Sequence, residues 1–135
     1  MKKSITTVIL SMVLIISIVM AVPARIFASS RSYTATVGGA RYGLLVEATR
    51  VSSTTAKGEM HVEHISGTVL NFYSGYVTAI ALDGSGIECG RSVTIYEKND
   101  VDSFSVSATY VRSDGGVVGA ATICTFFGTS YSCCS

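Results

Sequence analysis

Between Arg41 and Val62, apolar residues alternate with polar or small residues at a period of two. This pattern is typical of half-buried β-strands and not of helices. The apolar positions are Tyr42, Leu44, Val46 and Ala48 before a short polar stretch, and Ala56, Met60 and Val62 after it, with Gly58 in phase. We therefore predict a β-hairpin with its loop at residues 51–53.

Charge suggests a register for this hairpin. With a three-residue loop, Leu44 lies opposite Met60 on one face, and Glu47 lies opposite Lys57 on the other. A shift by two residues would place Glu47 opposite Glu59, a like-charge pair that destabilises neighbouring strands. We therefore predict the register that pairs Glu47 with Lys57.

A second hairpin is predicted near the C-terminus. Phe104–Tyr110 alternates in the same way, Ser113–Gly116 is rich in turn formers, and Val117–Phe127 is apolar on both faces. Asp-Gly is a favoured two-residue hairpin loop because both positions tolerate positive φ. The prediction places Val106 beside Ile123 and makes the returning segment a central strand.

Further strand patterns cover Tyr76–Leu82 and, over shorter stretches, Ser32–Val37, Thr68–Phe72 and Ser92–Tyr96. No segment beyond residue 28 carries a sustained helical stripe of apolar residues. The links look too short for helical crossovers, which favours antiparallel pairing. We predict an all-β domain at residues 29–128, a small antiparallel β-sandwich or partly closed barrel of about seven strands, followed by a cysteine-containing tail at residues 129–135.

The first 28 residues have the layout of a secretory signal peptide. Met1-Lys2-Lys3 is cationic, an apolar run extends from Val8 to Val22, and Ala28 offers a small residue for cleavage, with Ala24 as the second choice. The alternative is an uncleaved membrane anchor, since the apolar stretch approaches spanning length. We expect a secreted, extracellular protein that contacts a membrane only if this segment stays attached.

Composition changes when this segment is considered separately. The chain is 48% hydrophobic overall, but 19 of its 65 apolar residues lie in the first 28, which leaves 43% for the remaining 107. The same division leaves seven basic and nine acidic side chains, a formal net charge of −2. This weak charge argues against nucleic acid as a partner.

Four cysteines are the main candidate site residues: Cys89, Cys124, Cys133 and Cys134. An even number of cysteines in an exported chain predicts disulfides. Adjacent cysteines rarely bridge each other, so we expect Cys89 and Cys124 each to bond one of Cys133 and Cys134. The spacings lack the two-residue gaps of a four-cysteine zinc site, and we predict no metal there.

Histidine occurs only at His61 and His64, in the sequence His-Val-Glu-His. On a strand, His61 and Glu63 share a face and His64 lies on the other, so the helical geometry of metalloprotease motifs is not expected. A hydrolase that uses His61 with Glu63 and an unidentified serine is an alternative, but no serine lies in a Gly-x-Ser-x-Gly elbow. The acidic segment 97–102 is explained as a turn better than as a calcium loop. We predict no catalytic residue, no metal and no cofactor.

These observations favour a small exported β-domain that is not an enzyme and acts by surface binding or as a structural or interaction module. Its partner would be an extracellular ligand or protein that the sequence leaves unidentified. The alternative is a secreted antimicrobial or toxin-like protein, given the small size, the cysteines and the strands that are apolar on both faces. The single proline is Pro23, so the edge strands beyond it carry no proline, and self-association is a further expectation.

Overall fold

A computed structural model describes residues 27–134, which form eight β-strands. Their bounds are β1 (Phe27–Val37), β2 (Ala40–Arg50), β3 (Thr55–Ser66), β4 (Phe72–Leu82), β5 (Glu88–Asn99), β6 (Ser103–Val111), β7 (Gly119–Phe126) and β8 (Thr129–Cys134). The predicted signal peptide lies outside the described residues except for Phe27 and Ala28, which begin β1. Within this range there is no helix, and hence none long and apolar enough to cross a membrane.

The strands form two antiparallel sheets that pack face to face. Sheet A has the order β1-β2-β3-β6, and sheet B has the order β5-β4-β7-β8. This arrangement confirms the predicted all-β sandwich, with eight strands in place of about seven. The additional strand is β8, which pairs with β7 along residues that were expected to form a tail.

The predicted register of the first hairpin is wrong by two residues. Val46 lies opposite Met60, and Glu47 lies opposite Glu59. The loop shifts accordingly, because Val51 N–H donates to the Thr55 carbonyl at 2.9 Å and closes a turn over residues 52–54. The like-charge pair that the prediction avoided is therefore present.

A close contact between the sheets accounts for this register. Thr122 of β7 is fully buried and donates its hydroxyl to the Glu47 carbonyl of β2 at 2.7 Å. Gly58, paired with Ala48, lies beside this bond, and a Cβ at Gly58 would lie 2.7 Å from the Thr122 hydroxyl oxygen. In the predicted register Ala56 would pair with Ala48, and its methyl group would meet Thr122. Both registers bury apolar residues, so this contact decides between them.

The second predicted hairpin is also wrong, although both of its strands exist. β6 pairs with β3 in sheet A, whereas β7 pairs with β4 and β8 in sheet B. The link between them passes the first hairpin's turn, where Val117 N–H donates to the Ser53 carbonyl at 2.7 Å, and then reaches sheet B, where Val118 N–H donates to Leu82 at 2.8 Å. β7 is a central strand, as its apolar residues on both faces predict.

The other strand predictions hold in part. The segments Ser32–Val37 and Ser92–Tyr96 lie inside the longer strands β1 and β5, and Tyr76–Leu82 lies inside β4. Of Thr68–Phe72, only Phe72 belongs to a strand. Residues 67–71 instead form the connection by which the chain passes from sheet A to sheet B.

Two buried tyrosines join the sheets at the other end of the core. The hydroxyls of Tyr42 in β2 and Tyr73 in β4 lie 3.0 Å apart. Tyr73 donates to the Val101 carbonyl and Tyr42 accepts from Leu70 N–H, each at 3.0 Å, so Tyr42 must be the donor between the two hydroxyls. Burial is the largest cause that raises the pKa of Tyr73 well above its usual value, and the bond with Tyr42 adds to it. All these polar atoms are satisfied, as a buried network requires.

The contact at Gly58 leads to a stability prediction. Gly58→Ala places a methyl group against Thr122 and the Thr78 carbonyl, and we expect it to lower the free energy of unfolding by about 1 to 3 kcal/mol in urea denaturation. Gly84→Ala is the matched control, because a Cβ there meets no atom within 4 Å. An equal effect of the two substitutions would contradict the close approach of the sheets at Gly58.

Candidate functional site

The outer face of sheet A is mainly polar on all four strands. Its two edge strands, β1 and β6, carry hydroxyl side chains, and its central strands carry the charges. The hydroxyl residues are Ser30, Ser32, Thr34 and Thr36 on β1, and Ser103, Ser105, Ser107 and Thr109 on β6. The strand register thus assembles a polar surface from residues that are far apart in the chain.

His61 lies at the centre of this face in a network of side chains. Its Nδ1 is 2.6 Å from the Ser105 hydroxyl, and its Nε2 is 3.1 Å from Glu47 Oε2 and 4.0 Å from Glu59 Oε1. Lys57 Nζ lies 3.2 Å from the other oxygen of Glu59, Oε2. We call Glu47, Glu59 and His61 the His61 cluster; their ligand atoms all lie within 4.8 Å of one another.

An open groove of about 640 Å³ adjoins the cluster on the same face. Gly43 lines the groove, and because it has no side chain, Ile65 Cδ1 packs closely over it. Ile65 and Leu45 give the groove apolar walls, and Ser105 and His61 give it polar ones. A small ligand could therefore reach His61 from the groove.

The histidines lie where strand alternation predicts. His61 and Glu63 line the groove together, whereas the ring of His64 packs against Tyr42 with centroids 5.4 Å apart. The carboxylate beside His61 belongs to Glu47 and not to Glu63. Sequence reasoning missed Glu47, Glu59 and Ser105, because finding them requires the true β2–β3 register and the β3–β6 pairing.

Ser105, His61 and Glu47 form a chain of contacts similar to that of a serine hydrolase triad. Such catalysis depends on a water-excluded site with donors aimed at the developing oxyanion. The side chains of His61 and Glu47 are 37% and 34% exposed, so water screens the charges between them. Because these side chains are open to solvent, their geometry gives little support for acyl transfer.

All four cysteines are free thiols, and none of the predicted disulfides is present. Cys89 lies on β5 and Cys133 and Cys134 on β8, three strand spacings away across sheet B, or about 14 Å. A disulfide requires Cα atoms within about 7 Å, so sheet order separates Cys89 from both of its expected partners. Cys124 is buried on β7 and directs its thiol to the Tyr131 carbonyl at 3.7 Å.

The outer face of sheet B differs in character from that of sheet A. On β5, Val93 and Ile95 are 52% and 79% exposed, and they lie opposite Thr78 and the exposed Tyr76 of β4. β5 is an edge strand of 12 residues whose ladder partner among the described strands is β4. It therefore presents both aliphatic side chains and an unpaired backbone edge.

No family model, curated protein or solved structure matches the chain. The two outer faces are therefore the surfaces from which a function can be inferred. The face of sheet A offers hydroxyls, charges and a groove, and the face of sheet B offers an apolar edge.

Burial of Cys124 predicts a loss of stability at alkaline pH. Burial raises the pKa of this thiol from its usual 9.0 to about 12. Between these values the unfolded chain has lost the thiol proton while the folded chain keeps it, so the free energy of unfolding should fall as pH rises, by up to about 1.4 kcal/mol per unit. Urea denaturation across roughly pH 8 to 11 measures this slope.

The slope should be shallower in Cys124→Ala, which removes the buried thiol. Cys134→Ala is the matched control, because the thiol of Cys134 is exposed on β8, and it should keep the original slope. Burial also raises the pKa of Tyr73 and Tyr96, which keep some alkaline dependence in every variant. Identical slopes in the original protein and Cys124→Ala would refute the assignment to Cys124.

Proposed function

We propose that the protein is an exported, non-catalytic structural module that binds a second copy of itself through β5. The aliphatic edge formed by Val93 and Ile95 carries the proposal, because exposed apolar side chains on an unpaired edge strand favour pairing with another strand. Export rests on the signal-peptide pattern of residues 1–28. The proposed role is assembly and not turnover.

Charge complementarity along β5 supports a second copy as the partner. The outward row of this strand is Arg91, Val93, Ile95 and Glu97, with Thr94 at its midpoint. If two copies pair antiparallel about Thr94, Val93 of each lies opposite Ile95 of the other, and Arg91 lies opposite Glu97. A two-fold interface requires this kind of self-complementary surface. The same pairing satisfies backbone groups of β5 that sheet B leaves open.

The other edge strands are less suited to this pairing. β1 and β8 lie against each other at one corner of the sandwich, where Tyr33 donates to the Ser132 carbonyl at 2.5 Å and Ser29 donates to the Cys134 carbonyl. β6 presents mainly hydroxyl side chains on its outer face. β5 likewise lies against β6 at the opposite corner, where the Tyr110 ring packs over Gly90. Its outward row carries the exposed aliphatic side chains of Val93 and Ile95, so β5 is the strand that we propose for pairing.

The aliphatic contact yields the first test. We expect the purified protein to form dimers that dissociate on dilution in sedimentation equilibrium. Ile95→Lys should weaken dimerisation by roughly tenfold or more, because it replaces a buried aliphatic contact with a desolvated charge. Val111→Lys is the matched control: Val111 is 63% exposed on β6, so the variant should dimerise like the original protein.

A charge exchange tests the register of the pairing. Arg91→Glu and Glu97→Arg should each weaken dimerisation by roughly tenfold, because each places like charges opposite one another twice per dimer. The double variant restores opposite charges and should regain most of the lost affinity. Arg91 also pairs with Glu88 within the chain, so a circular dichroism spectrum should accompany each variant to verify folding.

Three outcomes would overturn the proposal. A monomer mass at all concentrations would remove self-association. Binding to phospholipid vesicles that Ile95→Lys abolishes, without dimers, would instead favour the toxin-like alternative with a lipid partner. Ester hydrolysis that vanishes in Ser105→Ala would show that the Ser105, His61 and Glu47 chain is catalytic.

A further inference from the structure

We propose that the His61 cluster binds a divalent transition-metal ion of the zinc type on the outer face of sheet A. In a tetrahedral zinc site with bonds of about 2.0 to 2.2 Å, ligand atoms lie about 3.3 to 3.6 Å apart. His61 Nε2 lies 3.1 Å from Glu47 Oε2 and 4.0 Å from Glu59 Oε1, on either side of that spacing. Side-chain adjustments of less than 1 Å would bring these two distances to the required value.

Ser105 holds the histidine in the orientation that a metal needs. Without a metal, Nε2 needs its proton to bond Glu47 Oε2 at 3.1 Å. When an ion replaces that proton, Nδ1–H donates to the Ser105 hydroxyl 2.6 Å away, and the Nε2 lone pair faces the ion between the carboxylates. Metal-binding histidines almost always donate their other ring N–H in this way, which fixes the tautomer and ring angle. Ser105 is thus a positioning residue and not itself a ligand.

The backbone holds together two carboxylates whose charges repel each other. Glu47 and Glu59 lie directly opposite one another, and the contact of Thr122 with the Glu47 carbonyl beside Gly58 prevents the strands from slipping apart. Like charges in this position destabilise a sheet, and a bound dication would remove the repulsion. Lys57 relieves it in part, through Glu59 Oε2, and leaves Oε1 facing His61.

The type of donor selects the ion. One imidazole with two carboxylates suits zinc and neighbouring divalent transition metals, whereas calcium and magnesium prefer oxygen ligands alone. Three protein ligands leave one tetrahedral position for water.

Calorimetric titration of the metal-free protein with Zn²⁺ tests the site. We expect one ion per chain, and Glu47→Gln, Glu59→Gln and His61→Gln should each weaken binding by roughly tenfold or more. Glu63→Gln is the matched control, because Glu63 lies on the same face of β3 but outside the cluster, and it should bind like the original protein.

Two further variants separate a metal site from general surface charge. Ser105→Ala should weaken Zn²⁺ binding by roughly tenfold through loss of the ring orientation, although it changes no charge. Lys57→Gln should strengthen binding, because it removes a cation from beside Glu59. If Glu63→Gln weakened binding as much as Glu47→Gln does, only a diffuse charge effect would remain and the site would be refuted.

The free cysteines require a separate readout. Co²⁺ bound by thiolates absorbs strongly through sulfur-to-metal charge transfer, whereas Co²⁺ bound by imidazole and carboxylates does not. We expect bound Co²⁺ to give a spectrum without charge-transfer bands, and His61→Gln should abolish the spectrum of the bound ion. Charge-transfer bands that persist in His61→Gln would place the metal at cysteines and overturn the proposal. Because the site lies on sheet A, Zn²⁺ binding should be unaffected by Ile95→Lys.

Discussion

The contact between Thr122 and the β2–β3 hairpin is the constraint on which much of the structure depends. Thr122 reaches from sheet B to a backbone carbonyl of sheet A, and it can do so only because Gly58 lacks a side chain. This bond satisfies a buried hydroxyl, which without a partner would lower the stability of the fold by about 1 to 3 kcal/mol. It also sets which residues of β2 and β3 lie opposite one another, and so determines the chemistry of the outer face, where Glu47 meets Glu59.

Alternation of apolar residues predicted the class of fold and the strand pattern of segments such as β2, β3 and β7, because a period of two reports directly on burial. It did not predict the partner of each strand. β6 and β7 are separated by an Asp-Gly turn signal, yet they lie in different sheets, because β6 pairs with β3 at the edge of sheet A and β7 pairs with β4 and β8 inside sheet B. Local turn chemistry is a short-range signal, and these pairings join residues distant in the chain.

The candidate site was likewise predicted in strand pattern but not in strand pairing. The sharing of a face by His61 and Glu63 follows from alternation, and the structure agrees. The neighbours of His61, Glu47 and Ser105, depend on register and on a long-range pairing, neither of which a single strand encodes. Charge pairing favoured the wrong register. An exposed ion pair contributes at most about 1 kcal/mol to stability, whereas a steric clash in the core costs more, so the contact at Gly58 outweighs the charges. A bridge from Cys89 to Cys133 or Cys134 would need neighbouring strands, and cysteine number carries no information about sheet order.

The two outer faces can serve different purposes because the core separates them. Substitutions on the outer face of one sheet leave the packed inner faces unchanged, so the hydroxyls and charges of sheet A and the aliphatic edge of sheet B are independent of each other. In the proposed dimer, two copies would pair along β5 and extend sheet B, while both His61 clusters would remain open to solvent on sheet A. Assembly and metal binding would then be compatible in one particle, with two equivalent metal sites related by the two-fold axis of the dimer.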